Sequence, residues 1–260
     1  MAVRPKKGLG QHFLTDVGVV QQIVDAVDAP AGAGVVEIGP GEGALTHSLL
    51  ARYPGLVALE VDTEAVAHLR SRHPGLDVRE GDVLEADWAA LAEEVSAGQP
   101  LTVVGNLPYY ITSPILFALL EARAHVRRAV VMVQLEVAER LVAPPDSKTY
   151  GTLSVYFSLY ARSEKLLDVP RECFRPMPGV ESAVVALDFE AADPPGVSWK
   201  ALQRTVRAAF GQRRKMLRNS LKPLAREAGA EVPDWAATLR PEAVAPADFV
   251  RLAHHLVPQD

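Results

Sequence analysis

The stretch Val35-Val36-Glu37-Ile38-Gly39-Pro40-Gly41-Glu42-Gly43 decides the fold. Its first four residues are apolar and β-branched apart from Glu37, as in a short buried strand, and glycines then occupy alternate positions. A helical pattern follows from about Ala44 to Arg52. In a strand, glycine loop and helix arranged this way the backbone approaches a ligand closely, and the helix N-terminus adds positive potential. Gly39, Gly41 and Ala44 also satisfy the dinucleotide pattern G-x-G-x-x-G/A. The segment therefore points to an α/β domain that holds a nucleoside-containing cofactor, without separating a nicotinamide enzyme from a methyltransferase.

Later strand ends narrow that choice. Leu56 to Val61 reads as a second strand, and its Glu60 stands 21 residues after Gly39, within reach of a ribose diol. The alternative is a helix-capping Asp62 beside a solvated Glu60. Val78 to Leu84 supplies a third strand, where Asp82 is placed to hold the amino group of an adenine. Leu101 to Val104 is a fourth, ended by Gly105 and followed by Asn106-Leu107-Pro108-Tyr109-Tyr110. An amide oxygen at Asn106 accepts from an exocyclic amine, Pro108 stiffens the turn, and Tyr109 offers a flat face to a base. Alone, this motif also fits an ordinary strand-ending turn. After strand ends carrying Gly, Glu and Asp, it completes a cleft for a planar amino-heterocycle.

Around these strands, Val17 to Val27 has helical spacing begun at Asp16, and Arg128 to Gln134 reads as a fifth strand. Helices are expected over Leu135 to Val142 and Tyr150 to Tyr160, and a further strand over Ala183 to Phe189. Between them, the loop Phe174-Arg175-Pro176-Met177-Pro178 carries two prolines. It is expected to hold Phe174 as a second wall for a base stacked on Tyr109; a core position for Phe174 is the alternative.

The 260 residues suffice for an α/β domain over 1–190 and a small helical domain over 191–260, joined by a linker from Glu190 to Val197. Cys173 is the only cysteine, which excludes an internal disulfide and suits a reducing cytoplasm. No apolar run is long enough for a membrane span or a secretory signal, so no membrane partner is expected. His254 and His255 are adjacent and do not share a helix face, so no metal site is expected.

Net charge is −5, yet Gln203 to Lys222 holds seven basic residues and no acidic one, and without those seven the charge is −12. Such a polarised chain fits a nucleic-acid partner. Read as helical, the segment presents Arg213, Arg214, Lys215 and Arg218 to phosphates, with Arg214 and Arg218 sharing a face; Lys6 and Lys7 join from the N-terminal arm.

Together, Lys7-Gly8-Leu9-Gly10-Gln11-His12-Phe13-Leu14, Glu37-Ile38-Gly39-Pro40-Gly41, Asn106-Leu107-Pro108-Tyr109-Tyr110, Tyr150-Gly151-Thr152-Leu153-Ser154-Val155, Phe174-Arg175-Pro176 and Gln212-Arg213-Arg214-Lys215 resemble one family. It is the bacterial small-subunit (16S) rRNA adenine N6,N6-dimethyltransferases of the KsgA type. The resemblance runs in order to about Leu221; at His12 the family more often has asparagine. It implies a Rossmann-like methyltransferase domain with a mostly parallel seven-stranded sheet, followed by a small all-helical domain. It also implies S-adenosylmethionine as donor, S-adenosylhomocysteine as product, and dimethylation of two adjacent adenosines in a hairpin loop of small-subunit rRNA within the 30S subunit or its precursor; a monomer is expected. By position, His12, Leu14, Gly39, Glu60, Asp82 and Asn106 match its cofactor residues, with Gln11, Gly41, Val61 and Val83 beside them. Asn106, Leu107, Pro108, Tyr109 and Phe174 match its catalytic loop and base walls.

Three rivals share parts of this pattern. A nicotinamide dehydrogenase explains the glycine loop and Glu60 but neither Asn-Leu-Pro-Tyr nor the basic segment. A non-catalytic ribosome assembly factor on the same fold would not need Gly39, Glu60, Asp82 and Asn106 together. A large-subunit rRNA methyltransferase of the macrolide-resistance type shares Asn-Leu-Pro-Tyr, and Gln212 to Lys215 favours the small subunit over it.

Overall fold

The computed structural model describes Lys6, residues 11–190 and residues 196–257. Its elements begin with β1 (Phe13–Leu14), α1 (Val17–Ala26), β2 (Val35–Ile38), α2 (Thr46–Arg52), β3 (Val57–Glu60), α3 (Thr63–Arg72), β4 (Asp77–Glu80) and α4 (Trp88–Ser96). Then come β5 (Leu101–Asn106), α5 (Thr112–Glu121), β6 (Val126–Gln134), α6 (Leu135–Leu141), α7 (Thr152–Tyr160), β7 (Arg162–Val169), β8 (Phe174–Arg175) and β9 (Ser182–Asp188). The remaining α-helices among the described residues are α8 (Trp199–Phe210), α9 (Leu217–Ser220), α10 (Lys222–Glu227), α11 (Asp234–Ala237) and α12 (Pro246–Leu256).

Contacts divide the chain into two compact units, Met1–Ala138 with Glu164–Glu190, and Glu139–Ser163 with Ala191–Asp260. The first holds a seven-stranded sheet in the order β4-β3-β2-β5-β6-β9-β7. Strands β2 to β6 pair in parallel, and β9 runs antiparallel to β6. All four residues of β2 are buried, as a parallel strand covered on both faces requires. Strand order reverses between β2 and β5, because the chain first builds outward to β4 and then returns. Open α/β sheets bind ligands at the carboxyl ends of such strands. Close pairing there demands Gly105, where a Cβ would lie 2.5 Å from the Ile38 carbonyl oxygen.

Local signals set the helix starts. Asp16 caps α1 by accepting from the Val19 amide at 2.9 Å, and Asp62 caps α3 through the Glu64 amide at 3.0 Å. Strand β7 was not anticipated: exposed Arg162, Glu164, Lys165 and Asp168 give it no apolar alternation, the composition of a protected sheet edge.

The second unit departs from the expected boundary at residue 190, since Glu139–Ser163 joins the C-terminal helices. The reason lies in α7, whose aromatic side chains find partners there. Trp199 meets Tyr156 and Tyr160 edge-on at centroid distances of 5.0 and 5.6 Å. Tyr150, completely buried, donates to the Val244 carbonyl at 2.8 Å. No helix among the described residues is long and apolar enough to cross a membrane.

Candidate active site

Four strand ends build one cleft. After β2, Gly39, Gly41 and Gly43 adopt left-handed backbone, with φ of +62, +57 and +85°. Residues with side chains rarely adopt it. Gly41 is required twice over, because a Cβ there would stand 2.8 Å from the Phe13 ring.

After β3, the Glu60 side chain turns inward and is 4% exposed in the whole residue. Its Oε2 accepts the Gly41 amide at 2.9 Å, and its Oε1 accepts the Val61 and Asp62 amides, each at 2.9 Å. A carboxylate has about four acceptor positions, so capacity remains for a ligand hydroxyl. Burial raises the Glu60 pKa while those amides oppose the rise. The solvated alternative for Glu60 is thereby excluded, although Asp62 does cap a helix. Beneath the loop, Glu37 is 1% exposed and accepts from Thr46 Oγ1 at 2.7 Å. Burial pushes its carboxyl up to about 8, against the Thr46 hydrogen bond and with a contribution from the negative Glu60.

After β4, the exposed Asp82 caps a short 3-10 turn through the Leu84 amide at 2.9 Å, and Val83 joins Val61 in the apolar part of the lining. After β5, Asn106 Nδ2 donates to the His12 carbonyl at 2.9 Å. A carbonyl only accepts, so the amide orientation is fixed and Oδ1 points the other way. The Leu107 amide donates to the Met132 carbonyl at 3.0 Å. Tyr109 is anchored at its hydroxyl, 2.6 Å from Ser182 Oγ, and burial raises its phenol pKa. The Tyr109 ring stacks on His12, with centroids 5.5 Å apart and planes at 25°.

The cleft thus unites Gln11, His12, Gly39, Gly41, Glu60, Val61, Asp82, Val83, Asn106, Leu107, Pro108 and Tyr109. Leu59 of β3, Tyr110 and Ile111 from the turn after β5, and Ile115 of α5 also line it. Leu14 and Phe174 do not. They face each other across the β1–β8 pair, so both side chains project to one face, and that face is the core. Phe174 is 2% exposed and Leu14 4%, so the expected second base wall is a packing residue.

The basic residues also depart from expectation. Lys6 lies 2.7 Å from Asp62 and 3.5 Å from Glu64, so its ammonium is held by carboxylates and not presented to phosphate. The hydrogen bond to Asp62 raises its pKa. Burial disfavours charge on Asp62, but Lys6, the Glu64 amide and Gln11 together lower its pKa. Lys7 lies outside the described residues. In the second unit α8 stops at Phe210, and residues 211–215 form turns closed by the Lys215 amide on the Gln212 carbonyl at 2.8 Å. Gly211, a poor helix former, marks the break. The shared helix face expected for Arg214 and Arg218 is therefore absent. Arg213, Arg214, Lys215 and Arg218 are all exposed, and Arg213 donates to the Lys148 carbonyl at 2.9 Å.

Comparison with known proteins agrees with the geometry. A family model described as ribosomal RNA adenine dimethylase matches residues 3–251. A protein of Salinibacter ruber named ribosomal RNA small subunit methyltransferase A is 50% identical, over 97% of this chain and 85% of that protein. One of the same name from Pseudomonas aeruginosa is 43% identical, over 97% and 95%. Among solved structures, a dimethyladenosine transferase from Plasmodium falciparum aligns over 93% of this chain and 96% of its own, with a TM-score of 0.75 and 24% identity. The 23S rRNA methyltransferase ErmE aligns over 95% and 100%, with a TM-score of 0.64 and 28% identity. With its glycine loop, buried acid and Asn-Leu-Pro-Tyr turn in one cleft, this chain belongs to the ribosomal RNA adenine dimethylase family.

Proposed function

We propose that the chain dimethylates N6 of two adjacent adenosines in a hairpin loop of small-subunit (16S) rRNA, using S-adenosylmethionine and releasing S-adenosylhomocysteine. The observation that carries this reading is Asn106, oriented by the His12 carbonyl and followed by Tyr109, in the same cleft as the amide-bound Glu60. The names and identities of the relatives from Salinibacter ruber and Pseudomonas aeruginosa support the small-subunit target.

The residues present fit the donor. Glu60 takes the ribose hydroxyls and Asp82 the adenine amino group, while Val61 and Val83 supply apolar contact. The backbone of Gly39, where a Cβ would meet nothing within 4 Å, borders open space at the cleft. Bound there, S-adenosylmethionine supplies an electrophilic methyl on its sulfonium.

The chain's own task is to make the adenine amine nucleophilic, because its lone pair is delocalised into the ring. Asn106 Oδ1 and the Leu107 carbonyl accept the two amine hydrogens and hold them out of the ring plane. The nitrogen then becomes tetrahedral, with its lone pair released from the ring. No strong general base is needed, since the nitrogen grows acidic as it becomes cationic and releases its proton to solvent water after the methyl has moved from sulfur to nitrogen. Positioning and electrostatics therefore provide most of the acceleration. Tyr109 offsets the unstacking of the target base, at about 1 to 3 kcal/mol per stacked base.

The setting is the cytoplasm, and the partner is the 30S subunit or its precursor. Incubation with labelled S-adenosylmethionine and unmethylated small and large subunits, followed by mapping of the modified nucleotides, tests the reading. Label on two adjacent small-subunit adenosines is expected; label confined to the large subunit would refute it.

A further inference from the structure

We propose that the His12 imidazole is the resting occupant of the Tyr109 base platform, and that the target adenine enters by displacing it. This rests on the reading that the target base stacks on Tyr109. The two rings lie 5.5 Å apart at 25°. A base between them needs about 3.5 Å on each side, hence about 7 Å between the flanking rings. His12 as placed therefore cannot be one wall of a sandwich; it covers one face of the Tyr109 ring in the cleft that both residues line.

What holds the ring there is exchangeable. Its Nδ1 donates to the Pro176 carbonyl at 2.7 Å in an exposed hydrogen bond, which also fixes the tautomer. Water replaces such a bond readily, and a purine offers Tyr109 a larger stacking surface than an imidazole does. The backbone of His12 has a separate task, because its carbonyl orients Asn106. Rotation of the side chain leaves that contact in place. Base entry and amide orientation thus meet at one residue but use different atoms of it. Phe174, buried in the core, is not available as the competing wall.

The test compares kcat/KM for unmethylated small subunits, at saturating S-adenosylmethionine, in the parent, His12→Ala and His12→Asn, each with Tyr109 intact and with Tyr109→Ala. Displacement predicts that removing the imidazole raises kcat/KM about three- to tenfold with Tyr109 intact, and that the gain vanishes with Tyr109→Ala. An unchanged or lowered kcat/KM in both His12 variants overturns the proposal, as does an equal gain in the Tyr109→Ala background. Should His12→Ala fail to fold, His12→Asn decides alone. The underlying reading is judged by Tyr109→Ala by itself: parental kcat/KM there means that the base does not stack on Tyr109.

Discussion

Glu60 and Gly41 are joined directly, carboxylate oxygen to backbone amide at 2.9 Å. The acid after β3 and the glycine loop after β2 therefore form one rigid piece of the cleft. Glu60→Ala removes the ribose acceptor and also leaves the Gly41, Val61 and Asp62 amides without their carboxylate. Loss of a charged acceptor is worth about 2 kcal/mol, so S-adenosylmethionine affinity by calorimetry is expected to fall some 30-fold. The orphaned amides should lower the melting temperature as well. Parental affinity would mean that the ribose is held elsewhere.

A second expectation concerns Asn106, whose nitrogen is committed to the His12 carbonyl. In Asn106→Ala the amine loses its side-chain acceptor, and the loss of one preorganised dipole of this kind lowers turnover about 10²- to 10³-fold. Binding of the small subunit, measured by sedimentation with S-adenosylhomocysteine present, should persist. Turnover at the parental level with saturating cofactor would remove Asn106 from the mechanism.

These two residues were legible in the sequence because each is a polar residue at the carboxyl end of a mainly apolar strand, Glu60 closing β3 and Asn106 closing β5. Asp16 and Asp62 were legible as caps for a similar reason, since their partners lie two or three residues away. What stayed hidden depends on distant pairing. Two prolines shortly after Phe174 suggest a rigid loop, but only the register with Leu14 shows which way its ring points. Lys6 reads as a free cation until Asp62, 56 residues on, is brought to it. Edge strand β7 lacks apolar alternation, and the turn after Phe210 interrupts a charge run that composition alone cannot distinguish from a helix.

Glu37 makes stability depend on pH. Burial raises its pKa from 4.5 to about 8, so between those values the folded chain keeps a proton that the unfolded chain has released. Stability from this group is complete below about pH 4.5 and is lost as pH rises through about 8, with a total on the order of 5 kcal/mol. In Glu37→Gln the amide oxygen still accepts from Thr46, and nothing titrates. Urea denaturation at pH 5, 6.5 and 8 should show the variant gaining on the parent as pH rises. A constant difference between the two would show that Glu37 is ionised in the folded chain throughout.

The basic turn separates two roles that composition had merged. Arg213 donates to the Lys148 carbonyl and lies 3.9 Å from Glu242, so part of its task is to hold its own unit together. Arg213→Ala should reduce stability by up to about 1 kcal/mol. Arg214, Lys215 and Arg218 are exposed, and no acid interrupts the sequence from Gln203 to Lys222. A merely soluble surface usually interleaves signs, whereas a phosphate-binding surface does not. Each phosphate contact removed lowers the salt slope of binding by roughly 0.7 to 0.9, so the triple change of Arg214, Lys215 and Arg218 to Ala should flatten it by about 2 to 3. Glu60 and Gly41 are untouched by that change, and S-adenosylmethionine affinity should stay at the parental value. A subunit-binding titration from low to high salt reads the slope directly. If the slope of the triple variant equals that of the parent, these three cations are a solvated surface, and the RNA is held by other residues.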